Sequence, residues 1–83
     1  MTSFETVIRV YNLSLGLIVT PVGNSPDQFK IEMIKGEPNP MILKYLPDHS
    51  WIAEKVTMRF FTKKYISELG ALIEGNRPEW FLL

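Results

Sequence analysis

Apolar and polar positions alternate along most of this chain, and the period changes only once, near residue 62. Phe4 to Tyr11 is rich in β-branched and aromatic residues and predicts a strand. Leu13, Leu15, Leu17 and Val19 alternate with Ser14, Gly16, Ile18 and Thr20, again with strand period. The two stretches form either a hairpin or one long strand bent near Asn12 or Gly16. Pro21 to Asp27 is a loop, because two prolines, a glycine and turn-forming polar residues leave little else open. Phe29, Ile31 and Met33 alternate with Lys30 and Glu32, predicting a strand with one wet face. Gly36 to Pro40 breaks the chain. Met41 to Leu46 is an apolar run too short to assign by period, and Pro47 to Ser50 is a turn. Lys55, Thr57 and Arg59 alternate with Val56, Met58 and Phe60, which predicts a strand with a basic outer face.

Thereafter the spacing becomes helical. Tyr65, Ile66, Leu69, Leu72 and Ile73 make one stripe, with Thr62 as the N-cap. Gly75 offers a left-handed stop and Pro78 prevents resumption. Gly70 lies mid-helix, at a cost of about 1 kcal/mol against alanine, and so marks a place of close packing on the sheet. Glu79 to Leu83 forms a last strand or a docked tail. The expected fold is therefore α+β: a small antiparallel sheet of four to five strands, with one C-terminal amphipathic helix packed on one face.

Length narrows this to one domain spanning residues 1–83. A chain of this size buries only roughly 60–65% of the surface it exposes when unfolded. It contains no cysteine, so disulfides, thiolate chemistry and cysteine-based zinc sites are excluded. The core holds the fold unaided, or self-association extends it. The longest apolar stretch, Leu13 to Val22, is interrupted by Ser14, Gly16, Thr20 and Pro21, whereas a membrane-spanning helix needs about 20 mostly apolar residues. Met1 to Glu5 shows no basic stretch followed by an apolar one, so a cytoplasmic protein without membrane contact is expected.

Nine basic and nine acidic residues cancel, which argues against bulk attraction to nucleic acid. Their distribution is uneven, because residues 44–64 carry five bases against two acids. Lys55 and Arg59 on a strand, with Lys63 and Lys64 in the first helical turn, would make a basic corner suited to an anion or nucleic acid. Binding there is the alternative functional reading. Catalysis finds less support. Asp48, His49 and Ser50 are neighbours in a turn, where they cannot align as orienter, base and nucleophile. With one histidine and no acidic pair at ligand spacing, no metal or other cofactor is expected.

The apolar surplus points elsewhere. Val7 and Tyr11 lie opposite Ile8 and Val10, so both faces of the first strand carry apolar side chains; Ile18, Ile34 and Phe61 add to the excess. One helix covers one face, so the other face meets a partner unless the sheet curls to bury both. The leading expectation is a non-enzymatic interaction module: an accessory subunit, regulator or inhibitor, of a size that suits a bacterial or phage protein. Its partner is another protein or a second copy of itself, anchored by Tyr11, Phe61, Trp80, Phe81 and Leu82.

Overall fold

The computed structural model describes residues 3–23, 27–35, 40–55 and 62–81, with only the backbone of Lys55. Five strands follow one another: β1 (Phe4–Val10), β2 (Leu13–Pro21), β3 (Gln28–Met33), β4 (Met41–Tyr45) and β5 (Trp51–Lys55). They lie side by side in chain order and every neighbouring pair is antiparallel. Helix α1 (Lys63–Asn76) and a single 3-10 turn (Pro78–Trp80) complete the described fold. It is the expected α+β arrangement, with the sheet at the upper end of the predicted strand count.

Residues 4–20 resolve as a hairpin rather than one bent strand. Val10 pairs with Leu13, leaving Tyr11 and Asn12 as a two-residue turn. The short run from Met41 is a strand, recruited because its partners Phe29 and Ile31 offer apolar neighbours across the ladder. The last strand begins at Trp51, four residues before the alternation around Lys55 suggested. The remainder of that alternation, residues 56–61, lies outside the described residues.

The register explains which face is dry. Phe4 pairs with Val19, Val19 with Ile31, and Phe29 with Leu43, so one row after another points the same way. Those positions are fully or almost fully buried, together with Ile66, Leu69 and Ile73 of α1. The opposite face mixes charge with aliphatic side chains: Val7, Ile34 and Ile52 are 58%, 48% and 42% exposed. Lys30–Glu32 and Lys44–Glu54 ion pairs cross that face at 3.5 and 3.7 Å. Gly16 lets Ile34 lie flat on the sheet, since a Cβ there would stand 3.0 Å from its Cδ1.

Helix α1 lies chiefly against β5. Gly70 is buried, and a Cβ at this position would overlap the indole ring of Trp51. Close packing of the helix on the sheet is therefore why a glycine occupies this turn. Gly75 is not the left-handed stop that its place in the sequence suggested. The helix continues to Asn76, and Arg77 ends it with φ −138°. There the Arg77 N–H still donates to the Ile73 carbonyl at 3.0 Å, and Pro78 ends the ladder. Thr62 holds the N-cap position in extended conformation, but its side chain makes no capping hydrogen bond. No described helix is long and apolar enough to cross a membrane.

Candidate interaction surface

The chain beyond α1 folds back over one end of the core. Trp80 stacks on Phe29 with ring centroids 5.7 Å apart and tilts against Phe4 at 5.8 Å. Phe81 meets Tyr45 edge-on at 4.9 Å and Trp51 at 5.9 Å. The Arg77 guanidinium lies 4.7 Å from the centre of the Phe4 ring, closing the cluster. Both aromatics are half-buried. Part of their apolar surface is thus used within the fold, and the rest stays accessible. The sequence showed their hydrophobicity but not the aromatic cluster waiting for them. Phe61 and Leu82 lie outside the described residues.

Tyr11 is placed differently. It occupies the first position of the β1–β2 turn with φ 54°, and 68% of it is exposed. Two-residue hairpin turns need a positive φ at this position, which glycine, asparagine or aspartate adopt most easily. A tyrosine held left-handed costs about 1–2 kcal/mol. Two contacts offset part of that cost. The Tyr11 backbone N–H donates to the Tyr65 hydroxyl at 3.3 Å, and the two rings meet edge-on at 5.7 Å. Tyr65 belongs to the first turn of α1, so the helix start braces the hairpin tip.

Beside Tyr11 is a wholly apolar hollow of about 120 Å³, lined by Val10, Tyr11, Leu13, Leu15 and Met33. An apolar cavity of about 150 Å³ accepts a benzene ring, so this hollow suits one branched or aromatic side chain. Leu13 pairs with Val10 and so points to the dry side, yet it is 65% exposed. The dry face extends past the part of the sheet that α1 covers. Leu13 was not among the expected site residues. Its alternation looks like any core position, and only the reach of the helix distinguishes it.

Two of the four basic-corner residues have described side chains. Lys63 and Lys64 are exposed in the first turn of α1, which holds no acidic residue, and the Lys64 ammonium sits 5.6 Å from the centre of the Tyr65 ring. Lys55 ends β5 with only its backbone described, and Arg59 lies outside the described residues.

The Asp48–Ser50 stretch is a turn, as its composition predicts. The Asp48 carboxylate accepts hydrogen bonds from the Ser50 hydroxyl and backbone N–H, and both hold its carboxyl below the ordinary range. His49, with φ 70°, pairs instead with the Tyr45 hydroxyl through Nδ1 at 2.6 Å. Nearby, the Trp51 indole N–H donates to Glu74 at 3.3 Å. Desolvation and then the neighbouring Glu74 carboxylate push the Tyr45 phenol above its usual value. Among the described residues, no three His, Asp or Glu side chains gather as metal ligands. No protein-family model matches this chain, nor does any curated protein or solved structure.

Proposed function

We propose that this protein is a non-catalytic interaction module that takes an aliphatic or aromatic side chain of another protein into the hollow at the β1–β2 turn. One observation carries the reading: a tyrosine held at positive φ, with most of its surface in water, at the rim of an apolar hollow. Backbone strain of this kind concentrates at sites of function, where the side chain's position matters more than the turn's ease. Tyrosine is a frequent interface anchor, and its contact area comes with little loss of side-chain freedom. The Tyr65 brace holds Tyr11 in place before a partner arrives, which lowers the ordering cost of binding.

Peptides selected by display against the wild-type protein test this reading. Peptides anchored by Leu, Ile, Phe or Trp are expected, shifting the methyl resonances of Val10, Leu13, Leu15 and Met33. Tyr11→Asn, which tolerates the turn's backbone, and Leu13→Ser each weaken them by at least tenfold. Selected binders that ignore both substitutions and perturb methyls elsewhere would overturn it.

A further inference from the structure

Strand β1 is an edge of the sheet, and among the described residues no strand pairs with its outer side. Unpaired backbone groups on a long, regular edge are a ready template for another strand, and proteins usually blunt such edges. The far edge is blunted. There, among the described residues, Glu54 is left over between the Ile42–Lys55 and Leu43–Ala53 pairs, a bulge that disfavours further addition. Strand β1 has no such device. Its seven residues pair with β2 in unbroken register, without proline or bulge.

Helix α1 runs beside the outer side of β1 and leaves space between them. A hollow of about 440 Å³ is lined by Val7, Ile8 and Arg9 together with Glu68, Ala71 and Leu72 of α1. Val7 and Arg9 point to one face of the sheet and Ile8 to the other, so a space touching all three runs along the strand's edge rather than over a face. Its floor is mainly aliphatic.

The charges on β1 select an occupant. Glu5, Val7 and Arg9 are exposed in a row on the outer face. Among the described residues neither Glu5 nor Arg9 forms an ion pair within the chain. The strand reads acid, aliphatic, base, so an antiparallel copy centred on Val7 sets Glu5 against Arg9 of the second copy, and Arg9 against its Glu5. Val7 then meets its own counterpart. All seven residues find partners, Phe4 with Val10 and Thr6 with Ile8. Opposite charges directly across a ladder attract and like charges repel.

We infer that two copies of this chain associate through β1, antiparallel about a two-fold axis at Val7, to form a continuous ten-stranded sheet. The interaction is independent of the hollow at the β1–β2 turn and goes beyond the proposed partner binding. A single pair of edges is smaller than a standard interface of about 800 Å² per partner, so the dimer forms reversibly with concentration.

Sedimentation equilibrium over a range of protein concentrations, at low salt, tests this. The wild type is expected to move from monomer to dimer. Glu5→Arg sets base against base and Arg9→Glu sets acid against acid, so each alone weakens association roughly tenfold or more. The double exchange Glu5→Arg with Arg9→Glu restores it, and mixing the two single variants yields a heterodimer. Both positions are exposed, and an unchanged circular dichroism spectrum confirms that each variant folds. Tyr11→Asn leaves the dimer intact, which separates this surface from the turn. A wild type that stays monomeric throughout overturns the inference, as does a dimer that tolerates either single exchange or is not restored by the double one.

Discussion

Two glycines five residues apart in α1 are expected to answer the same substitution with opposite signs. Gly70 faces Trp51, whose ring is 7% exposed and confined on several sides. Phe29 lies 5.4 Å away between ring centroids and Tyr45 5.0 Å, while the indole N–H is tied to Glu74. A methyl group at Gly70 overlaps Cγ, Cδ1 and Nε1 of a rigid ring, so the helix lifts or the indole swings out. Overpacking of this kind costs about 1–3 kcal/mol, and loss of the indole hydrogen bond adds about 1 kcal/mol. Against this, alanine improves helix propensity by about 1 kcal/mol. Gly70→Ala should therefore destabilise the protein by about 1–3 kcal/mol, with each kcal/mol lowering the melting temperature by roughly 4–8 °C. Gly75 has no heavy atom within 4 Å of a would-be Cβ and no left-handed backbone. There the propensity gain stands alone, and Gly75→Ala should stabilise by about 0.5 kcal/mol, the helix end frays allowing less than the full value. Urea denaturation followed by circular dichroism measures both. A Gly70→Ala midpoint at or above the wild type would refute the packing argument, because propensity alone would then govern both sites.

Two further substitutions probe the end of the core. Trp80→Ala removes a half-buried ring stacked on Phe29 and Phe4, so it should lower stability by about 2–3 kcal/mol in the same urea assay. It should leave the sedimentation mass unchanged, since the ring faces inward. The raised Tyr45 pKa makes stability depend on pH from the alkaline side. The folded state keeps this proton to higher pH than the unfolded chain, so the contribution is complete below about pH 10 and is lost as pH rises through the folded value. Near-ultraviolet phenolate absorbance should show one tyrosine titrating late. Glu74→Gln should bring it part of the way back, leaving the shift that desolvation causes; no change on that substitution would remove Glu74 as a cause.

Local pattern carried the class of the fold. β-Branched and aromatic composition locates β1; alternation locates β2 and β3 and the helical stripe locates α1, because those periods reflect which side of an element meets the core. Met41 to Leu46 is too short a run to show a period, with Lys44 its one charged residue; pairing with β3 decides it. Trp51 gives no strand signal in the sequence, because a turn composition precedes it and no alternation is visible in Trp-Ile-Ala. Gly75 misled for a related reason. A glycine near a helix end permits a left-handed stop without requiring one, and here Pro78 and the 3-10 turn end the helix later.

For the candidate surfaces, the division is sharper. That Tyr11 and Val7 are apolar side chains in excess of one core follows from the sequence alone, as does the acid–aliphatic–base order of Glu5, Val7 and Arg9. Whether an apolar residue is surplus, however, depends on what lies above it. Trp80 and Tyr11 look alike as exposed aromatic candidates, yet one stacks into a ring cluster and the other projects into water. Likewise Leu13 and Leu17 share a strand and a face, and only Leu17 lies where the core closes over it. Burial is a property of elements brought together from distant parts of the chain. The sequence therefore determines which side chains seek cover, while the reach of α1 over the sheet decides which of them are left without it.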